Sequence, residues 1–274
     1  MNAFIHSLNI LLPILYLVTI FLYSQAFFYS SRFARKYKSG VLEFTVLVHL
    51  GRIVLSGVSM HRYPITNFFE FASVLALAIA LIYLYIEYRL KLKTTGLFIL
   101  SVVFPLQLFS SLFYNPSQPL PKVLHSPMLI FHTSTVILGY AALFVSALYG
   151  LMYLLLFYEL KSAQFGVIYR KMPSLEELSE LNIRAATIGF FFLSITIVLG
   201  ILWRKSAFPG AAHFDPQVIG TYLVWVIYGL VIFGKKIAGW TGKWLAYMSL
   251  GGFVIIIVSM IVVNWVVKSF HQFG

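Results

Sequence analysis

Residues 129–158 read LIFHTSTVILGYAALFVSALYGLMYLLLFY, without a charged side chain among them. A helix of this length rises roughly 45 Å at about 1.5 Å per residue, more than the ~30 Å hydrocarbon thickness of a bilayer. Seven further apolar stretches fall outside it, at 8–30, 41–60, 70–88, 96–113, 185–203, 217–233 and 244–267. The expected fold class is therefore all-α, a polytopic membrane protein built as a bundle of eight transmembrane helices. The stretch at 8–30 is too long for the apolar core of a signal peptide and is read as a retained helix. No internal repeat or compositional break divides the chain, so residues 1–274 are read as one transmembrane domain.

Composition agrees with that frame. Of the 274 residues 60% are hydrophobic and 10% charged, and the mean hydropathy is +0.89. Soluble domains carry roughly a quarter charged residues, so most of this surface is made to face lipid. Eight spans with short connections leave no room for a separate soluble enzyme domain. The chain has no cysteine, which removes disulfides, thiolate metal sites and thiol nucleophiles together.

The net charge of +12 is a matter of topology. Arg32, Arg35, Lys36 and Lys38 lie in the first connection, and Arg89, Lys91 and Lys93 in the third. Lys161, Arg170, Lys171 and Arg184 lie in the fifth, and Lys235, Lys236 and Lys243 in the seventh. Together these are 14 of the 20 basic residues. The positive-inside rule then puts the odd connections in the cytoplasm and both termini on the outer side. Nucleic acid is excluded as a partner, because the basic residues are spread over four loops beside anionic lipid. The expected location is the bacterial inner (cytoplasmic) membrane, with the lipid bilayer itself as the main contact.

Two connections carry local signals. Ser174 and Glu177 have capping-box spacing, and Leu175, Leu178 and Leu181 share a face, which predicts a short interfacial helix before the sixth span. Its simplest role is a stirrup between spans, and its alternative role is a docking site for a cytoplasmic partner. Pro116, Pro119, Pro121 and Pro127 make 114–128 an extended outer loop.

On this topology His6, His61, His125, His132, His213 and His271 all fall at the outer side, and only His49 lies deep in the membrane. His132 is about one turn into the fifth helix, and His271 follows the outer end of the eighth. Two neutral imidazoles on rigid helices are what a six-coordinate haem iron requires. A structural zinc site wants four ligands, which fits less well in a chain whose single aspartate is Asp215. Glu70, at the start of the third span, is read as a helix cap, and His49 with Arg52 as a buried polar pair. One deep histidine does not make a proton path. An unrelated transporter is accordingly the weakest of three functional readings.

Several stretches in register resemble the cytochrome c assembly membrane proteins, the haem-handling family that includes CcsA, ResC and CcmC. Arg62-Tyr63-Pro64-Ile65-Thr66-Asn67-Phe68-Phe69-Glu70 is similar to the family's outer loop before the third helix. Ser126, His132 and Gly139-Tyr140-Ala141-Ala142-Leu143 resemble the helix bearing its first external histidine. Gly200-Ile201-Leu202-Trp203 opens the loop where the family is tryptophan-rich. Gly239-Trp240-Thr241-Gly242 and Gly252-Phe253 resemble the last helix, and Phe270-His271-Gln272-Phe273-Gly274 the segment with the second external histidine.

The resemblance implies haem (iron protoporphyrin IX) as cofactor, with His132 and His271 as its metal ligands and no catalytic residue of the chain's own. Trp203, Phe208 and Phe214 would cover the ring, Arg62, Arg204 or Lys205 would pair with the propionates, and Asp215 would orient the site. A CcsB- or ResB-like membrane partner and an apocytochrome c are the implied protein partners. The outer loop departs from the family pattern, with Phe208 and Phe214 where tryptophans are expected before Asp215-Pro216. The seventh helix ends in Phe233 where the family typically places a histidine. These departures resemble the divergent HemX branch and imply the second functional reading, a membrane regulator of glutamyl-tRNA reductase and so of tetrapyrrole synthesis.

Overall fold

The computed structural model describes residues 2–114, 126–163, 165–207 and 215–261. Among them every regular element is helical: α1 (Asn2–Phe28), α2 (Arg32–Met60), α3 (Phe68–Tyr85), α4 (Gly96–Leu112), α5 (Pro127–Lys161), α6 (Val167–Lys171), α7 (Leu175–Ala207), α8 (Pro216–Ile237) and α9 (Gly242–Ile261). A π-helical turn, Ile86–Leu90, continues α3 and ends at Lys91, whose φ is 58°. The all-helical membrane class is as expected.

Among the described residues seven helices are long and apolar enough to cross a membrane. The remaining expected span is α4, an apolar helix of 17 residues with Pro105 inside it, at the lower limit of spanning length. The segment 173–181 differs from expectation. It is not a separate interfacial helix but the first turns of α7, which runs unbroken for 33 residues. Ser174 does cap it, accepting from the Glu177 N–H at 3.1 Å. No glycine or proline separates Leu181 from the next span, and Asn182 is buried, so nothing halts propagation.

The chain packs as two compact units, Met1–His125 and Ser126–Gly274. In the first, α1 lies on α2 and α4, and α3 on α4 and α2, running up and down. Asn67 caps α3 by accepting from the Glu70 N–H at 2.8 Å, and α2 closes through His61 in the left-handed region at φ 49°. In the second unit α5 is the central element, in contact with α7 and α9, while α8 packs on α9 and α7. Gly139 sets how closely α5 and α7 approach, since a Cβ there would stand 3.4 Å from the Leu193 nitrogen and 3.5 Å from the Gly189 carbonyl oxygen. Small residues at a helix crossing let backbones meet where lipid offers no hydrophobic drive. Ser146 and Ser249 both donate to Asn182 Oδ1, at 2.7 and 2.8 Å, and tie α5, α9 and α7 together.

Candidate functional site

Of the sequence-selected residues, the second unit carries His132 where α5 begins, Trp203 and Arg204 where α7 finishes, and Asp215 where α8 starts. Helix α5 enters through Ser126, whose hydroxyl accepts from the Met128 N–H at 3.2 Å, with Pro127 in the first turn. The Thr135 hydroxyl donates to the His132 carbonyl oxygen at 2.8 Å and accepts from Thr196 of α7 at 2.9 Å, so this turn is pinned to the facing helix. His132 itself is half-buried.

Its ring lies against the last turns of α7. The His132 and Trp203 ring centroids are 6.1 Å apart with their planes inclined by 49°. Gly200, one turn before Trp203, faces the imidazole directly: a Cβ there would be 3.3 Å from Cε1 and 3.8 Å from Nδ1. An imidazole and an indole thus meet over a glycine where α5 begins and α7 ends. Arg204 follows Trp203, half-buried. Asp215 opens α8, its carboxylate accepting from the Gln217 N–H at 2.9 Å, with Pro216 in the first turn. It is 4% exposed, so its negative charge is spent at the positive end of the helix dipole.

Of the expected site residues, the structure brings His132 and Trp203 together and shows how Asp215 is used. Phe208, Phe214, His213 and His271 lie outside the described residues. Arg62 belongs to the first unit and is already committed. Its Nη1 and Nη2 meet the two Glu70 oxygens at 2.8 and 2.7 Å, and the Thr66 hydroxyl and N–H also donate to Glu70. No group of three metal-binding side chains occurs among the described residues.

The first unit also holds more polarity than sequence reading recognised. His49 and Arg52 are fully buried, but they are two members of a network rather than an isolated pair. His49 bonds Tyr16 at 2.9 Å and Ser73 at 3.0 Å, and Ser73 donates to Gln107 at 2.9 Å. Farther along, Tyr23 and Ser39 both donate to the buried Glu87. The signal that marks it is heptad spacing: Asn9, Tyr16 and Tyr23 on α1, and Lys38, Thr45 and Arg52 on α2.

The fold and these helices define a multi-pass membrane protein. Residues 7–271 match the sequence model of the cytochrome C assembly proteins, and the chain belongs to that family. Among its relatives is the cytochrome c biogenesis protein CcsA of Guillardia theta, 27% identical over 254 residues, which cover 84% of this chain and 82% of the relative. CcsA of Chlorella vulgaris is 25% identical over 256 residues, 81% of each chain. CcsA of Prochlorococcus marinus subsp. pastoris is 26% identical over 278 residues, 89% of this chain and 86% of the relative. These relatives lend no support to the HemX-type leaning or to an unrelated transporter.

Proposed function

We propose that this chain is a haem-binding component of c-type cytochrome biogenesis, which holds haem at the outer membrane face and presents it to an apocytochrome c. The observation that carries the reading is the His132 imidazole packed against Trp203 and closely over Gly200, in a chain of this family. His132 would supply one axial nitrogen and His271 the other. Trp203, Phe208 and Phe214 would cover the porphyrin with apolar and stacking surface. Arg204 or Lys205 would pair with the propionates, while Arg62 is held by Glu70. Asp215 acts as a positioning residue through the α8 cap.

When bound, haem supplies the vinyl groups that become linked to cysteines of the apocytochrome. This chain contributes no thiol, so its work is ligation, orientation and presentation. A cysteine-free holder also avoids capturing its own cargo. A CcsB- or ResB-like membrane subunit is the proposed partner, and the bacterial cytoplasmic membrane the proposed location, with both termini outside. The deciding experiment is the visible spectrum of the purified protein supplied with haem. A low-spin bis-imidazole spectrum that depends on His132 and His271 supports the reading, and a protein that takes up no haem overturns it.

A further inference from the structure

In the first unit Arg52 is a fully buried cation with no ion pair among the described residues. Arg52 is 0% exposed. Its Nη2 donates to Asn9 Oδ1 at 3.0 Å and its Nη1 to the Ser73 hydroxyl at 3.4 Å, and the Tyr114 ring centroid lies 4.5 Å from its Cζ. Those are neutral partners. The unit's three acids are all engaged elsewhere: Glu43 accepts from Tyr88, Glu87 from Tyr23 and Ser39, and Glu70 is held by Arg62 and Thr66. Glu70 is the one acid whose charge reaches Arg52, and its oxygens are held by Arg62 and Thr66, so the buried guanidinium has no carboxylate in direct contact among the described residues.

The helices around that charge carry further buried polar groups. Arg52 Nε and the hydroxyls of Ser56, Ser110 and Tyr114 are buried with no hydrogen-bond partner among the described residues. Ser56 lies one turn beyond Arg52 on the same face of α2, and Ser110 one turn beyond Gln107 on α4. The cluster therefore offers one charge and four donors, and a carboxylate has one charge and about four lone-pair sites. A metal cation is repelled, and a neutral ligand leaves the charge uncompensated.

The surroundings define what carries that carboxylate. Phe69, Phe109 and Phe113 pack as a cluster at the same helix ends, with Phe69 and Phe113 stacked at 5.4 Å and Phe109 5.1 Å from Phe113. Phe113 is 53% exposed and Tyr114 follows it past the end of α4, so the ring over Arg52 can yield without breaking a helix.

We propose that Arg52, Ser56, Ser110 and Tyr114 form a binding site for the carboxylate of an apolar acid, whose body lies along the phenylalanine cluster. The site rests on the first unit alone and does not depend on haem ligation by His132. Such a carboxylate has two sources, a fatty acid of the bilayer or the propionate of a porphyrin.

The test uses the full chain in phosphatidylcholine nanodiscs, with empty nanodiscs subtracted. Oleate is compared with methyl oleate, and metal-free protoporphyrin IX with its dimethyl ester. The expected result is a preference of at least roughly tenfold for one acid over its ester, which identifies the source and is lost in Arg52→Gln. Ser56→Ala/Ser110→Ala, which keeps the charge and the fold, should weaken that acid by about tenfold while leaving the thermal midpoint unchanged or higher. Equal binding of acid and ester, no binding of either acid, or full acid affinity in the double alanine variant overturns the proposal. If Arg52→Gln does not accumulate, the wild-type contrast and the double variant decide. Repeating the titration in His132→Gly separates this site from the haem reading, since acid binding is expected to persist there.

Discussion

Gly200 of α7 faces the His132 ring of α5 so closely that a Cβ at position 200 would stand 3.3 Å from Cε1. The glycine is thus the floor on which the imidazole rests, between the Thr135–Thr196 clamp on one side and Trp203 on the other. An alanine forces the ring to give by a few tenths of an ångström, and a valine forces it to turn. Gly200→Ala is expected to bind haem with a slightly shifted Soret band, and Gly200→Val to lose the low-spin spectrum while retaining helicity by circular dichroism. An unaltered spectrum in Gly200→Val would remove the glycine from the site.

His132 and His271 are predicted to be the two axial ligands of one haem. Replacing either by glycine opens a coordination position that added imidazole fills, so each variant should lose the low-spin spectrum and regain it with imidazole. His213→Gly serves as control and should match wild type. If His213→Gly alone loses the spectrum, the ligand assignment is wrong.

Asp215 is expected to act through the α8 cap. Asparagine retains a side-chain oxygen that can accept from the Gln217 N–H, so Asp215→Asn should fold and keep iron ligation. Asp215→Ala loses the cap and should cost about 1 kcal/mol of stability, read as a lower thermal midpoint. Loss of the bis-imidazole spectrum in well-folded Asp215→Asn would instead put the carboxylate on the iron.

The Arg62–Glu70 pair is nearly sealed, with side chains 8% and 1% exposed. Breaking such a pair from one side strands the other charge, so Glu70→Gln should destabilise by roughly 3–5 kcal/mol, and an apolar replacement of both partners should recover much of it. Thermal unfolding of wild type, Glu70→Gln and Arg62→Met/Glu70→Leu checks this. Equal midpoints for all three would mean that the pair contributes nothing to the fold.

Orientation is expected to follow the basic connections, with both termini outside. A reporter active only in the cytoplasm, fused after Gly274, should give no signal. A strong signal would reverse the topology and move the His132 site to the other face.

The sequence by itself determined whatever depends on neighbours along the chain. Runs of apolar residues defined the helices because backbone polar groups in lipid must be satisfied within the segment. Asp215-Pro216 stands at a helix start because a cap bonds only two residues ahead, whereas Ser126-Pro127, read with the outer loop 114–128, is the cap and first turn of α5. Family motifs singled out His132 and Trp203 before their contact was visible. Only the tertiary structure decided which faces meet. That Arg62 is bound to Glu70 and not free for a ligand follows from how the loop between α2 and α3 folds back. That His49 and Arg52 belong to a network depends on Asn9, Tyr16, Ser73 and Gln107, which come from three other helices. The continuity of α7 through 173–181 was likewise settled by the burial of Asn182 against Ser146 and Ser249. A polar residue in an apolar helix reads the same in sequence whether it turns toward a partner, a cavity or the headgroups. Packing alone selects the face, because in lipid the gain comes from finding a polar partner on another helix.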